Sequence, residues 1–218
     1  MSIRYTRTEE RLNVWSHAAG TAIAVAACTL LSAAYGRADS PWSGIGLWLY
    51  AFGVVSSYAA STAYHATPRL SRWRERLRRI DHAAIYWHIA GSYSPLTLVG
   101  LRHSGGWGWG LFAFVWLCAA AGTAASSVRL REHSNAETAC FVGMGLSGVA
   151  AFGPLLDSCG VPTVGWIVAE GVMYISGAAC YSLNKRRYMH SVFHFFVLAG
   201  TLCHIMALAE MFAHTAGA

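Results

Sequence analysis

The sequence predicts an all-α membrane protein, a bundle of seven transmembrane helices with its N-terminus in the cytoplasm and its C-terminus outside. Three observations lead there. Charged residues make up only 12% of the 218 positions, about half the usual share, while apolar residues make up 55%. The few charges are clustered, which leaves seven long apolar runs, each near the ~20 residues that a bilayer crossing needs. The clusters also alternate, because every second loop is rich in arginine and the loops between are nearly bare, as expected where basic loops stay in the cytoplasm. The net charge of +6 is thereby dealt among short loops instead of gathered on one face, which argues against nucleic acid as a partner.

The segments are expected at about 15–36, 42–65, 81–100, 107–127, 138–156, 161–183 and 191–213, and residues 1–218 read as a single membrane domain without linker or repeat. The first run follows Glu9 and Glu10 and lacks the small-residue cleavage site of a signal peptide, so it is expected to be retained. Arg4, Arg7 and Arg11 precede it. Between segments 2 and 3 lie Arg69, Arg72, Arg74, Arg76, Arg78 and Arg79; between 4 and 5, Arg129 and Arg131; between 6 and 7, Lys185, Arg186 and Arg187. Only Arg37 and Arg102 fall on the opposite side. Small residues within the segments, as in Gly143-Met144-Gly145-Leu146-Ser147-Gly148, allow membrane helices to approach closely. The six cysteines contain no C-x-x-C pair and five lie in apolar runs, which argues against a disulfide framework or a thiolate metal site.

The candidate site gathers at one membrane level. His190 and His194 open segment 7 four residues apart, so they share a helical face. His65 ends segment 2 and Asp81 opens segment 3, both on the same cytoplasmic side. Three imidazoles from two helices make a candidate catalytic zinc site, with a fourth position left for water. Imidazole ligands also suit copper, nickel and iron, and membrane histidines can simply hydrogen-bond across helices. Asp81 is the candidate proton acceptor. Ser61, one turn from His65, is a candidate to support an oxyanion or to orient a ligand. Glu10, Asn13 and His17 lie three and four residues apart on one face at the same level and are candidates to support the ligands from behind.

Four blocks carry a resemblance that spans nearly the whole chain: Glu9-Glu10-Arg11-Leu12-Asn13-Val14-Trp15-Ser16-His17; Ser61 with His65; Ile80-Asp81-His82-Ala83-Ala84-Ile85-Tyr86 running on to Gly91-Ser92-Tyr93-Ser94-Pro95; and His190-Ser191-Val192-Phe193-His194 continuing to His204. In order and spacing they resemble the hemolysin III family, the bacterial branch of the progestin and adipoQ receptor family, which is similar in turn to the alkaline ceramidases. The resemblance implies a seven-helix bundle with a cytoplasmic N-terminus, zinc held by His65, His190 and His194, and Asp81 and Ser61 at the family's other polar site positions. It also implies a link to membrane homeostasis, and, through the adiponectin receptors, to ceramide hydrolysis.

The expectation is therefore a multi-pass protein of the bacterial inner (plasma) membrane, a zinc-dependent hydrolase that acts on an amide or ester bond of a membrane lipid. Two other readings stand beside it: a non-enzymatic sensor of membrane state with structural zinc, and a haemolysin-like pore or transporter. The arginine-rich loop between segments 2 and 3 stands beside the expected site, where it can also attract anionic headgroups. Glu170 occupies a position where the resemblance implies a small residue, and His88 and His204 lie deeper than the other histidines; if the three fell in one line, a conduction path would come into question. His82, next to Asp81, is expected to point elsewhere, and His103, His133 and His214 to be solvated.

Overall fold

The computed structural model describes residues 5–37, 40–129, 135–183 and 186–216, which leaves Arg4, Arg131, His133 and Lys185 outside the described residues. Every regular element in the described residues is helical. They are α1 (Arg7–Tyr35), α2 (Pro41–Ala66), α3 (Arg74–Pro95) continued by a π-helical turn (Leu96–Gly100), α4 (Trp107–Arg129), α5 (Asn135–Leu146) continued by a 3-10 turn (Ser147–Ala151), α6 (Phe152–Ser182) and α7 (Met189–Ala216).

Helices begin earlier than the apolar runs because hydropathy marks only the part of a helix that faces lipid or core. Thr6 starts α1 with a capping box: its side chain accepts from the Glu9 amide while the Glu9 carboxylate accepts from the Thr6 amide, which adds two polar turns ahead of the expected start. Ser40 caps α2 and Pro41 occupies the first turn, where its missing N–H costs nothing. Two arginine-rich turns likewise extend α3 ahead of Asp81. Pro95 interrupts the regular hydrogen-bond ladder at the end of α3, and the following turn relaxes to π geometry, with the Leu101 amide donating to the Leu96 carbonyl. Segments 5 and 6 meet at a kink instead of a loop: Gly160, at φ 78° and ψ 167°, breaks the helical path inside α6.

Five stretches among the described residues are long and apolar enough to cross a membrane: Arg7–Tyr35, Pro41–Ala66, Trp107–Val128, Asn135–Ser182 and Met189–Thr215. The charged start of α3 keeps it out of that set. The outer surface is apolar to a degree that water would not tolerate, with Trp15 72%, Leu30 70%, Trp48 76% and Leu117 70% exposed.

Helix α1 packs against α2 and α7, α2 against α3, α3 against α4, and α6 along α7. This arrangement brings the C-terminal end of α2 and the N-terminal ends of α1, α3 and α7 to one end of the bundle. The closest crossing joins α2 and α3, where the Cα atoms of Gly53 and Gly91 face each other; a Cβ on Gly53 would lie 2.3 Å from the Trp87 carbonyl oxygen, and one on Gly91 2.7 Å from the Leu49 carbonyl oxygen. Backbone cannot yield as a flexible side chain can. Gly53→Ala is accordingly expected to destabilise the protein by about 1–3 kcal/mol through overpacking, read as a lowered Tm in detergent, whereas Gly110→Ala, with open space around it, should leave Tm nearly unchanged.

Candidate metal centre

The three imidazoles expected from sequence converge on one point. His65 Nε2 lies 3.2 Å from His190 Nε2, and His190 Nε2 lies 3.1 Å from His194 Nε2. Ligand atoms of the three lie within 4.8 Å of one another, and no other histidine, cysteine, aspartate or glutamate in the described residues joins the group. Nitrogens that share a tetrahedral zinc at 2.0–2.1 Å stand about 3.3 Å apart, so the spacing suits such an ion.

The tautomers point the same way. Glu10 Oε2 sits 2.8 Å from His65 Nδ1, so this nitrogen carries the proton and donates it to the carboxylate. Ser16 donates its hydroxyl to the Asn13 carbonyl and stands 3.2 Å from His194 Nδ1, from which it accepts. Both rings therefore turn bare Nε2 lone pairs toward His190. Two Nε2 acceptors turned toward a third ring nitrogen at 3.1–3.2 Å make the cluster chemically fit to hold a metal ion.

Each ligand is held by structure laid down locally. His65 occupies the last turn of α2, and His190 and His194 the first turns of α7. The start of α7 is set by Tyr188, a non-glycine residue at φ 64°, whose amide donates to Glu9 Oε1 at 2.8 Å. Glu9, buried at the first turn of α1, thus ties the N-termini of α1 and α7 together. Glu10 extends the His65 contact outward by accepting from Arg74 Nη2 at 2.7 Å, and Arg74 also donates to the Thr67 carbonyl and lies over the Tyr64 ring. Asn13, fully buried, accepts from Ser191 at 2.7 Å, which fixes the amide between α1 and α7. His17 takes a different place from a hydrogen-bonding support: its ring stacks on His194 with centroids 3.7 Å apart.

Asp81 and Ser61 stand beside this cluster without joining it. Ser61 lies on the face of α2 that carries His65, and Asp81, early in α3, lies near Ser61, His65 and His82. His82 turns away from the site, toward Glu137 on α5 at 3.0 Å. His103 and His214 are exposed.

Three contributors lie outside the candidates read from the sequence. Tyr5 stacks against His190 at 4.8 Å and His65 at 5.9 Å, and covers the cluster from the end of the bundle. Burial, reinforced by the nearby Tyr181 and Tyr64 hydroxyls, pushes its phenol well above the usual range, so it remains neutral. Ser16 lies three residues after Asn13, on the same helical face, and was legible in principle. Arg74 was indistinguishable from the other loop arginines.

The profile of the haemolysin-III-related family matches residues 5–205. Hemolysin-3 of Bacillus cereus is 30% identical over 196 residues, covering 88% of this chain and 87% of that protein. The Hemolysin-3 homolog of Bacillus subtilis (strain 168) is 27% identical over 197 residues, covering 90% and 91%. The monocyte to macrophage differentiation factor of Homo sapiens is 25% identical over 216 residues, covering 94% and 86%. With the matched region enclosing His65, Asp81, His190 and His194, and with lipid-length apolar helices around them, the chain belongs to the haemolysin-III-related family of multi-pass membrane proteins.

Proposed function

We propose that the protein is a zinc-dependent membrane hydrolase that cleaves an amide or ester bond of a lipid at the end of the bundle where α1, α2 and α7 meet. The observation that carries this reading is the ligand number: among the described residues three histidines converge and no fourth donor closes the set, the pattern of a catalytic site that keeps a position for water. His65, His190 and His194 would hold the ion. Zinc in such a site supplies the acidity that makes water a nucleophile near neutral pH.

The chain's own residues supply the rest. Glu10 accepts from His65 and Ser16 from His194, so each ring is locked in the tautomer that presents Nε2. Asp81 holds the proton given up by the water and returns it to the leaving group. Ser61, one turn from His65 on the same face of α2, supports the oxyanion or the metal shell. Arg69, Arg72 and Arg76 crown the same end and favour an anionic headgroup there.

The same reading includes seven crossings with the N-terminus in the cytoplasm of a bacterial inner membrane. Asn135–Ser182 is 48 residues long, roughly 70 Å if helical throughout, enough for two crossings, and it is bent at Gly160. The described basic residues other than Arg37 and Arg102 lie at the metal-centre end. A sensor with structural zinc would call for a fourth protein ligand. An aqueous pore fits poorly, because the far half of the bundle is filled by Leu47, Leu101, Leu208, Met211 and Phe212, none more than 2% exposed.

Protein purified without chelator should carry about one zinc per chain, and His190→Ala/His194→Ala should carry none; elemental analysis decides, and metal-free wild type would remove the hydrolase reading. Glu10→Gln, which keeps the shape but weakens the acceptor for His65, should lower zinc affinity about 10–100-fold in competition with a chelating dye. In a lipid-hydrolysis screen Asp81→Asn should retain its zinc and lose activity by about 100-fold or more; full activity in that variant would take the proton-acceptor role from Asp81.

A further inference from the structure

A polar pocket opens at the end of the bundle opposite the metal centre. It measures about 400 Å³ and lies where the N-terminus of α2, the turn after the π-helical segment, α6 and the end of α7 come together. Ser40, Arg102, Ser104 and Ser158 supply its polar wall, and Leu98 and Val99 an aliphatic one. Basic residues are scarce at this end, yet Arg102 is held in place instead of being left to solvent. Its Nη1 donates to Ser40 Oγ at 2.8 Å, and its guanidinium lies over the Trp42 ring at 5.0 Å. Among the described residues its hydrogen-bond partner is Ser40, and the acidic residues nearest this end, Asp157 and Glu210, do not line the pocket.

The hydrogens of this wall outnumber the acceptors that use them. A guanidinium carries several N–H donors and no acceptor, and Ser40 takes one of them. Ser40 Oγ accepts from Arg102 and from the Trp42 amide at 3.3 Å, which leaves its own hydrogen to donate. The Ser104 and Ser158 hydroxyls meet at 2.7 Å, so one hydrogen is spent between them and the other remains. Thr215, also at the pocket, spends its hydrogen on the Phe212 carbonyl and adds none. A positive, donor-rich wall without a carboxylate favours an oxyanion. The donors come from three separate segments, and a tetrahedral phosphate accepts from several directions where a planar carboxylate accepts close to its plane. The first turn of α2, capped by Ser40, adds the field of a helix N-terminus. Trp42 meets Trp109 edge to face at 5.0 Å, and Trp107 and Trp109 are 43% and 47% exposed, as tryptophans are at headgroup level.

We propose that this pocket binds a phosphate group, with Arg102 as the charged anchor and the hydroxyls of Ser40, Ser104 and Ser158 as further donors. The phosphodiester of a membrane lipid and free phosphate present the same oxygens. The aliphatic wall of Leu98 and Val99 and the tryptophans beside the pocket suit the lipid, whose glycerol carbons they can cover. The site uses none of the residues of the metal centre and does not depend on the hydrolase reading.

The test is binding to the full chain purified in a maltoside detergent, which brings no phosphate of its own. Two probes are titrated separately: dioctanoylphosphatidylglycerol, counted by native mass spectrometry, and inorganic phosphate, followed by equilibrium dialysis with a radioactive tracer. Arg102→Gln should weaken one bound probe per chain by about tenfold or more, the equivalent of one charge-assisted hydrogen bond. Ser104→Ala/Ser158→Ala, which keeps Arg102, should weaken the same probe about threefold or more. An effect confined to the lipid makes the pocket a headgroup site, and an effect on inorganic phosphate makes it a site for the ion as well. Both probes bound by Arg102→Gln as by wild type, or neither bound by wild type, overturns the proposal. Weakening in Arg102→Gln with none in the serine variant overturns the pocket as the place of binding. Equal Tm values show that the fold is kept, and where Arg102→Gln lowers Tm the serine variant decides.

Discussion

Three imidazole nitrogens that converge on one point inside an apolar bundle set the terms for everything around them. The geometry holds only if the rings are kept from rotating, and two of them, His65 and His194, are held from behind. The protein holds them with residues drawn from a single turn-and-a-half of α1: Glu10 takes the Nδ1 proton of His65, Ser16 takes that of His194, and Asn13 binds Ser191 between the two α7 ligands. Glu9, next to them, anchors the left-handed turn at Tyr188 from which α7 starts. The start of α1 is therefore the frame on which ligands from α2 and α7 are aligned.

Polarity falls along the bundle axis from this end. Arginines lie outermost, with Arg74 reaching inward to Glu10. Next comes the histidine cluster, then the linked hydroxyls of Tyr58, Thr201 and Tyr174, deeper still the Glu170–His204 pair, and finally a closed aliphatic core. Two breaks in helical geometry, the π turn after Pro95 and the break at Gly160, sit at the far end, whereas the left-handed Tyr188 stands two residues before His190. Small residues do complementary work at mid-depth. Gly53 and Gly91 let α2 and α3 touch backbone to backbone, which brings Ser61 and Asp81 near each other about two to three turns away.

The residues of the metal cluster were legible because their constraint is chemical and local: a four-residue spacing on α7, a histidine at the end of α2, and charged loops that assign both to one level. Glu10 and Asn13 were legible from a shared helical face. His17 shared that face but stacks on His194 instead of hydrogen-bonding it, because its ring lies against α7 at a depth where no acceptor is offered. Helix boundaries were less legible: capping at Thr6 and the arginine-rich turns before Asp81 extend helices into polar sequence that hydropathy reads as loop.

By itself the sequence determined that the chain is helical and lipid-facing, that most of its basic residues fall in every second loop, and which side chains are available there, since composition, periodicity and spacing act through the local chain. The tertiary structure decided what those side chains do to one another. Which nitrogen of His65 and His194 carries the proton depends on Glu10 and Ser16 arriving from another helix. That Arg74 braces Glu10 while its neighbours face outward, that Tyr5 folds over His190, and that Glu170 finds His204 in the core are likewise outcomes of packing. Distances of two or three ångströms between residues far apart in sequence are fixed by how helices cross, and no single segment encodes a crossing.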